Sequence, residues 1–573
     1  MSKIFEEKRK LTKYFEDQSR MHARLAEYSL IDKRFVGTPS KKSMVWSDGV
    51  GGIPISWDDA TDSVFCDSSD SHSLIIGPTG SKKSRLVAIP TVELLCSAKE
   101  SMIISDPKSE IYERTAALLE ENGYHVCVLN LRSPSDGSCW NPLSIPYRFY
   151  VQGELDKAYE FVNDISENLT KADASTKDPF WDNSAGSLFF GLTLLLFLYC
   201  RDSDEASGSE KYVTIDNLLR LRFEMFRDGD AVKNSNFWYL AQSDEFIRNA
   251  LVGTVETADV TRGGILSTFD EKMRRFSIQP NLMDMLSRDD IALDILHQEP
   301  SAIFLLLPDE KTSYHKLVSL FIKQSYEFLI YQAQKRHKPM NANEKTVRIN
   351  YILDEFSSLP TIKDFPAMIT AARSRNIRFN LFVQSKHQLV LRYGEEAETI
   401  QTNCNNLLVL SGKELRLLED VSKLCGDVIG DFLVRPVFAV SELRQLDKGR
   451  GEILVFSGSN KPLLTRLPDI NQYDNGRART IPIPQRYKQE KSTLTFSEVT
   501  EADEEKIDED NDESPVSQED QILPPPPPVL DADSFDIQDS RALLQKLFDE
   551  SDKRFTRNRP TEAINPNDEL EGE

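Results

Sequence analysis

The chain has 573 residues, of which 39% are apolar and 28% charged, and its formal net charge is −23 at pH 7. This length exceeds what one hydrophobic core organises, so the sequence predicts several domains. The seven cysteines contain no CxxC pair, which argues against a zinc site and a disulfide framework and favours a reducing cytoplasm.

Residues 1–60 are predicted to form a helical docking region. Apolar residues recur at helical spacing between Ile4 and Tyr28, and the first 45 residues carry 11 basic and 6 acidic side chains. The pattern predicts either an amphipathic helix that docks on a partner or a charged, solvated helix. No apolar stretch follows the charged N-terminus, so no signal peptide is predicted.

Residues 61–150 are predicted to be the first part of a nucleotide-binding α/β domain. An apolar strand, Ser73–Ile76, runs into a glycine-bearing turn and then a helix from Lys83 to Lys99. Further short apolar runs, Ser101–Ser105 and Tyr124–Asn130, alternate with helical segments. This alternation predicts a parallel sheet with helices on both faces.

Residues 151–299 show helical periodicity with few strand-like runs, which predicts an inserted all-α domain. The longest apolar run, Leu188 to Tyr199, is shorter than the roughly 20 residues that span a bilayer. It is therefore predicted to be a buried helix, and no transmembrane segment is expected. The predicted location is the cytoplasm, with peripheral attachment at the inner face of the cell membrane left open.

Residues 300–495 are predicted to complete the α/β domain, because apolar strands resume there. One of them, Ile349–Leu353, ends in the carboxylates Asp354 and Glu355. From residue 496 to 573 the chain is poor in aromatic residues and strongly acidic. Its last 77 residues, from Ser497, carry 24 acidic and 7 basic side chains. Such a segment is predicted to be disordered, and Phe535–Phe555 has the spacing of a helix that folds on a partner or of a frayed surface helix.

The two motifs together predict a nucleotide site that takes ATP and Mg²⁺. A phosphate cradle needs converging backbone N–H groups, an ammonium group and a hydroxyl for Mg²⁺. The turn that supplies them is Gly77, Pro78, Thr79, Gly80, Ser81, Lys82, Lys83, Ser84 and Arg85. Lys83 is the preferred phosphate lysine and Lys82 its possible substitute. Ser84 and Asp354 are the candidate Mg²⁺ ligands, although Ser84 also suits a helix cap, and Glu355 is the candidate that polarises water.

More motifs follow in a fixed order along the chain. They are Asp106-Pro107-Lys108, Trp140-Asn141-Pro142-Leu143, Pro179-Phe180-Trp181, Ala371-Ala372-Arg373-Ser374-Arg375, Phe382-Val383-Gln384-Ser385 and Thr402-Asn403-Cys404. With the two nucleotide motifs, this set resembles the type IV coupling proteins, the TraG/TraD-like ATPases of bacterial conjugation and type IV secretion. The resemblance covers roughly residues 70–470.

The resemblance implies an α/β fold: a RecA-like P-loop NTPase domain with an inserted all-α domain, followed here by the disordered acidic tail. It also implies a homo-hexameric ring that hydrolyses ATP. Its cargo would be single-stranded DNA with a relaxase, or a secreted protein, delivered to a type IV secretion channel or a separate membrane subunit. By this resemblance Arg373 is the arginine finger, with Arg375 as runner-up, and Gln384 the sensor glutamine. A structural salt bridge for either arginine and a polar strand end for Gln384 are the alternatives.

Two features depart from the family pattern. Family members usually begin with transmembrane helices, which are not predicted here, and Lys82 occupies the usual P-loop glycine position. A lysine there adds a second cation and can carry a strain of order 1–3 kcal/mol. ATP binding is therefore predicted, whereas turnover is left open. The alternatives are a soluble FtsK/HerA-like DNA pump and a non-hydrolysing adaptor that binds nucleotide for assembly only.

Overall fold

The computed structural model describes residues 51–58, 63–171, 179–202, 209–227, 229–308, 314–335, 346–429, 434–458, 462–473, 480–486, 492–494 and 496. It also gives the backbone of 30–33, 35–36 and 45–46. The predicted helix between Ile4 and Tyr28 and the predicted tail after Ser497 lie outside these residues.

The strands of the described part are numbered in chain order. They are β1 (Leu30–Lys33), β2 (Phe35–Val36), β3 (Val45–Trp46), β4 (Ile53–Asp58), β5 (Ser63–Asp67), β6 (Ser73–Ile76), β7 (Ser101–Asp106), β8 (His125–Asn130), β9 (Ser301–Leu306), β10 (Ile349–Leu353), β11 (Ile377–Val383), β12 (Asn406–Leu410), β13 (Asp427–Ile429), β14 (Val434–Pro436), β15 (Glu452–Ser457) and β16 (Leu463–Arg466).

The α-helices are numbered in the same way. They are α1 (Ile89–Ala98), α2 (Glu110–Glu121), α3 (Ser144–Val151), α4 (Leu155–Thr170), α5 (Phe180–Asp202), α6 (Ile215–Met225), α7 (Asn236–Gln242), α8 (Glu245–Val255), α9 (Asp259–Ser277), α10 (Pro280–Met285), α11 (His315–Lys335), α12 (Phe365–Ala372), α13 (Lys386–Tyr393), α14 (Glu396–Asn403), α15 (Leu415–Leu424), α16 (Val440–Leu443) and α17 (Ile470–Tyr473). One π-helical turn, Ser84–Ala88, leads into α1.

The centre of the molecule is a nine-stranded sheet in the order β16-β15-β12-β6-β11-β10-β7-β9-β8. Strands β6 to β12 run parallel, and β15 and β16 add antiparallel pairings at one edge. The sheet is therefore mixed, with a parallel centre as predicted. Strand β6 has the predicted bounds, Ser73–Ile76, and both β6 and β11 are buried along their whole length.

Both faces of the sheet are covered, and alternate residues of a strand enter different cores. In β6, Leu74 and Ile76 belong to one buried cluster and Ile75 to the other. In β10, Tyr351 and Ile352 divide in the same way. Burial on both faces explains why the residues of these strands are mostly apolar on both faces rather than alternating with polar residues.

The region 1–60 differs from its predicted helical character in the part that the structure describes. Strands β1, β4 and β5 form an antiparallel sheet in the order β1-β5-β4, and β2 pairs with β3. In β4 the side chains of Ile53, Ile55 and Trp57 are buried. Burial of every second residue is typical of a strand. The prediction of a helical region over residues 1–60 did not take this alternation into account.

Between β8 and β9 the described residues form helices and no strands, from Ser144 to Ile295. Helix α5 is the described helix that is long and apolar enough to cross a membrane, yet 72% of its most apolar window is buried inside the protein. It packs against α8, α9 and α4. The run Leu188–Tyr199 is thus a buried core helix, as predicted.

The chain after α17 passes along the helical region. Pro484 accepts a hydrogen bond from the Gly137 N–H at 2.9 Å, and Asn217 bonds Ser492 and Leu494. Phe496 packs edge-on against Tyr199 with ring centroids 5.2 Å apart. The segment that precedes the acidic tail is therefore anchored first beside α2 and the end of β8 and then on the helical region.

A buried ionic network joins the amino edge of the sheet. The Arg378 guanidinium, 3% exposed, pairs with Glu100 and donates to the Asn350 amide oxygen at 2.8 Å. Glu100 also accepts from the Asn350 amide at 2.9 Å and lies 3.5 Å from Arg348. The network ties β10 and β11 to the turn that follows α1.

Replacing Glu100 with alanine should lower the free energy of unfolding by about 3–5 kcal/mol, because Arg378 would stay buried without its carboxylate. The measurement is thermal and urea unfolding of the purified protein. Glu160→Ala, which removes the exposed partner of Lys157, is the control, and its effect should be about 0.5 kcal/mol or less. Equal shifts for the two variants would contradict the assigned role.

Candidate nucleotide site

The glycine-bearing turn follows β6 at the carboxyl edge of the sheet. The Gly77 N–H donates to the Val383 carbonyl at 3.1 Å, and the Ser81 N–H donates to the Pro78 carbonyl at 3.0 Å. A Cβ on Gly77 would lie 2.5 Å from the Ser81 hydroxyl, so a side chain there would collide with the turn. Gly80 has φ +78, and the exposed Thr79 precedes it.

Lys83 is the lysine that faces into this turn. Its ammonium is buried and donates to the Gly77 carbonyl at 2.5 Å. Ser84 begins the π-helical turn directly after it. The positions predicted for the phosphate lysine and the metal-binding hydroxyl therefore stand side by side at the start of the first helical turn.

The side chains of Lys82 and Arg85 point elsewhere. The Lys82 ammonium lies 2.9 Å from Asp469 Oδ2, and Arg85 Nε donates to Asp469 Oδ1 at 3.0 Å. Both residues are predicted to belong to the cradle. In the structure their charges are instead paired with Asp469, which follows the edge strand β16. The structure thus favours Lys83 over Lys82 as the phosphate lysine.

Asp354 follows β10 at the same edge of the sheet. Strands β6 and β10 both flank β11 and run parallel to it, so their ends are separated by two strand spacings, about 10 Å. The Ser105 hydroxyl donates to the Asp354 carbonyl at 2.9 Å, which fixes the strand end. The Ser84 and Asp354 positions therefore lie at one edge of the sheet, and their binding of one shared ion stays a prediction.

Glu355 and Gln384 meet directly. The Gln384 amide donates to Glu355 Oε2 at 2.8 Å, and Glu355 has φ +53. A glutamate in the left-handed region is strained by about 1–3 kcal/mol, and such strain concentrates at functional sites. The residues predicted to orient water and to sense the phosphate form one hydrogen-bonded pair.

The charges at this edge are strongly coupled. Burial lowers the pKa of Lys83, while the charges of Glu355 and Asp354 oppose that shift. Burial raises the pKa of Asp354 to about 6, and the Glu355 charge adds to the rise while Lys83 opposes it. Each shift follows from charges held close together in a poorly solvated space.

Asp106 and Lys108 are additional residues of this edge. The Asp106 carboxylate accepts from the Tyr112 N–H at 2.8 Å, and its other oxygen is buried without a hydrogen-bond partner among the described residues. Burial raises its pKa to about 7, with a further rise from Asp354. Lys108 is exposed, and its charge acts on Lys83 and Asp354. Their motif was visible in the sequence, but its place in the site was not.

Arg373 lies at the opposite edge of the sheet. It follows α12 and precedes β11, whose other end, Val383, contacts the glycine-bearing turn. Its side chain is exposed, and no hydrogen bond or ion pair joins it to the described residues. Arg375, two positions on, bonds the Ser374 hydroxyl. The predicted finger is therefore not part of its own subunit's cradle.

The donor set suits a magnesium-bound triphosphate. The buried Ser81 hydroxyl has no hydrogen-bond partner among the described residues, and a phosphate oxygen could accept from it. No group of three or more His, Cys, Asp or Glu residues suited to a metal occurs in the described part of the chain. Mg²⁺ needs no such group, because it is bound through one or two carboxylates and the substrate phosphates.

Comparison with known proteins identifies the family. A family model described as "Type IV secretory system Conjugative DNA transfer" matches residues 16–429. The chain belongs to this family. No curated protein sequence is significantly similar to it.

Solved structures of a conjugative coupling protein are similar to this family member in fold. The plasmid coupling protein TrwB in complex with ADP and Mg²⁺ has a TM-score of 0.52 and 15% identity, covering 80% of this chain and 96% of that chain. The bacterial conjugative coupling protein TrwBdeltaN70, in a trigonal form with sulphate, has a TM-score of 0.51 and 16% identity, covering 79% and 98%. At these identities the similarity establishes the α/β fold and not the chemistry.

Trp140 and Asn141, from the motif after β8, bond α11 and the segment before α6. The Trp140 indole N–H donates to Gln324 at 3.2 Å, and the Asn141 amide donates to the Val213 carbonyl at 2.7 Å. The Asn141 oxygen accepts from the Leu143 N–H at 3.0 Å, which makes it a turn residue. These contacts are structural and lie outside the nucleotide edge.

Proposed function

We propose that this chain is an ATP-driven coupling protein that recruits a DNA–relaxase complex or a protein substrate and delivers it to a type IV secretion channel. The observation that carries the proposal is the convergence of Lys83, Asp354, Glu355 and Gln384 on one edge of the sheet. These residues come from three separate strands, and the chain belongs to the conjugative DNA transfer family.

ATP and Mg²⁺ are the proposed cofactors. Lys83 binds the β- and γ-phosphates, Ser84 and Asp354 hold Mg²⁺, and the backbone N–H groups of the glycine-bearing turn surround the phosphates. Mg²⁺ supplies charge neutralisation at the γ-phosphate. Glu355 holds the attacking water, and its hydrogen bond with Gln384 (2.8 Å) orients the carboxylate.

The proposed arrangement has an α/β motor formed by residues 61–150 and 300–495 and an inserted all-α domain at 151–299. The motor assembles as a homo-hexamer, in which Arg373 of each subunit serves the site of the next. The exposed guanidinium, which pairs with none of the described residues, supports this assignment. The chain works in the cytoplasm and reaches the membrane through residues 1–60 or a separate membrane subunit.

The proposed cargo is single-stranded DNA with its relaxase, or a secreted protein. The acidic tail, residues 496–573, recruits basic proteins of the transfer machinery and does not bind DNA, because like charges repel. The segment before it is anchored on the helices through Asn217 and Tyr199.

A second candidate function, a non-hydrolysing adaptor, is favoured by Lys82. Its φ of +67 places a lysine in a backbone conformation that favours glycine. A rearranged loop would bind ATP without turning it over. The pairing of Glu355 with Gln384 favours the motor, because a group that orients water serves no purpose in an adaptor.

ATP hydrolysis by the full chain, measured with and without single-stranded DNA, separates these functions. The motor requires hydrolysis that DNA increases, and Lys83→Ala should abolish both nucleotide binding and turnover. Tight ATP binding without hydrolysis in either condition would instead establish the adaptor. Co-purification with a relaxase or a membrane subunit tests the delivery of cargo to a secretion channel. A soluble DNA pump that works alone would co-purify with neither partner.

A further inference from the structure

Lys82 occupies a backbone position that ordinarily favours glycine. Its φ is +67, and Gly80, two residues earlier, has φ +78. A residue with a Cβ is less stable in this region than glycine, because the Cβ lies too close to the following carbonyl oxygen. The turn therefore contains a lysine that is both strained and close to the position of the phosphates.

The Lys82 ammonium is held outside the cradle by an ion pair. It lies 2.9 Å from Asp469 Oδ2, whereas the Lys83 ammonium, one residue on, bonds the Gly77 carbonyl inside the turn. The other Asp469 oxygen accepts from Arg85 Nε at 3.0 Å. One carboxylate therefore binds the cations on both sides of Lys83 and Ser84.

Asp469 is itself fixed in place. Its neighbours Leu467 and Ile470 are buried, and the Leu467 N–H donates to the Gly451 carbonyl at 2.9 Å. A Cβ on Gly451 would lie 2.1 Å from the Leu467 carbonyl oxygen, so the two segments are in close contact. The Asp469 carboxylate also accepts from the Asn471 N–H at 3.1 Å, where α17 begins.

The charge of Asp469 is maintained despite its burial. Its side chain is 9% exposed, and burial alone would raise its pKa. The hydrogen bonds from Lys82, the Asn471 N–H and Arg85 outweigh that effect and lower the pKa. The surroundings of this carboxylate therefore favour its charged form, and Asp469 lies outside residues 16–429 that the family model matches.

We propose that Asp469 is a positioning residue of the nucleotide site, which holds the Lys82 ammonium away from the phosphates and keeps the turn in its left-handed form. This inference rests on the nucleotide binding proposed above. Lysine can occupy the glycine position because its charge has a partner elsewhere. Without that partner the ammonium would join Lys83 at the phosphates, strengthen product binding and slow turnover.

The test is a double-mutant cycle of Asp469→Asn and Lys82→Gly. With Lys82 present, Asp469→Asn should tighten the binding of fluorescent ADP about tenfold, equivalent to about 1.4 kcal/mol, and slow turnover. In the Lys82→Gly background the same substitution should change the ADP affinity less than twofold. Asp216→Asn, which removes the ion-pair partner of Arg220 in the helical region, is the control and should not alter ADP affinity.

Thermal unfolding of the nucleotide-free protein provides the second readout. Asp469→Asn should lower the melting temperature more in the wild-type background than in the Lys82→Gly background, because only Lys82 leaves an unpaired cation in a strained position. An equal change in ADP affinity in both backgrounds would assign the effect to Arg85 and overturn the proposal. The proposal would also be overturned if the two substitutions were coupled in melting temperature but not in ADP affinity. The Lys82–Asp469 pair would then stabilise the fold without influencing the phosphates.

The two proposals fail in different ways. If the wild-type chain bound neither ATP nor ADP, the proposed function would be wrong, and so would the positioning role of Asp469 at the phosphates. If nucleotide bound normally and the cycle showed no coupling between residues 82 and 469, the positioning role alone would fall.

Discussion

Replacing Glu355 with glutamine should reduce kcat for ATP hydrolysis by about 10²–10⁴-fold, the usual contribution of a positioned general base, while ATP affinity changes little. The carboxylate is buried, and its Oε2 accepts from Gln384 at 2.8 Å. The amide of the variant fills the same volume and can keep this hydrogen bond, but it cannot accept a proton from water. Only the chemical step is therefore affected.

The measurement is steady-state hydrolysis together with equilibrium binding of a fluorescent ATP analogue. Glu395→Gln, which changes an exposed carboxylate beyond α13, is the matched control and should leave both values unchanged. Hydrolysis by Glu355→Gln within a few-fold of wild type would move the base role to another group. Asp106 would be the next choice, because its second carboxylate oxygen is buried without a partner among the described residues.

The backbone at Glu355 has a conformation that a glutamate rarely adopts. A left-handed φ of +53 is normally occupied by glycine or asparagine. The Glu355 N–H donates to Asp354 Oδ1 at 3.1 Å, so the two acids are fixed relative to each other. The left-handed backbone at Glu355 accompanies the hydrogen bond between its carboxylate and Gln384, while Asp354 stays buried at the end of the strand.

Short, local signals were sufficient to predict the centre of the sheet. Strand Ser73–Ile76 is a short, largely apolar run directly before the glycine-bearing turn, and in Ile349–Leu353 the apolar residues are interrupted only by Asn350, so both patterns predict buried strands. Because the carboxyl ends of parallel strands share one edge, the glycine-bearing turn and Asp354 could be placed together from the amino-acid sequence alone.

Contacts between distant segments could not be predicted in this way. Asp469 follows a short strand in a loop without periodicity, and its partner Arg85 is 384 residues away along the chain. No pattern in a single sequence pairs one aspartate among many with one lysine. Strand β4 is missed for another reason, since the predicted helical region extends to residue 60, past the point where Ile53, Ile55 and Trp57 alternate.

The location of Arg373 determines how it could act. Strand β11 has seven residues, which span about 23 Å at 3.3 Å per residue, longer than the reach of an arginine side chain. Arg373 precedes its amino end, and the glycine-bearing turn contacts Val383 at its carboxyl end. The arginine therefore cannot contact phosphates bound by its own subunit. An exposed guanidinium without a partner among the described residues is available to a neighbouring subunit.

Arg373→Ala should lower ATP hydrolysis by about 10³-fold or more, as expected for loss of an arginine finger, without lowering ATP affinity to the same extent. Mixing it with Lys83→Ala should restore part of the activity although each variant alone is inactive. In mixed rings some sites combine an intact Lys83 from an Arg373→Ala subunit with an intact Arg373 from its neighbour. Recovery on mixing is possible only if the finger acts between subunits.

Arg375→Ala is the matched control, because Arg375 lies in the same 3₁₀ turn but bonds the Ser374 hydroxyl and lies near Tyr326. Its activity should remain within a few-fold of wild type. Inactivity of Arg375→Ala with full activity of Arg373→Ala would exchange the two roles. Failure of the mixed rings to recover, with both variants folded and assembled, would place the essential arginine within one subunit, which the length of β11 opposes. The mixing experiment thus tests the finger and the ring together, since neither alone produces recovery.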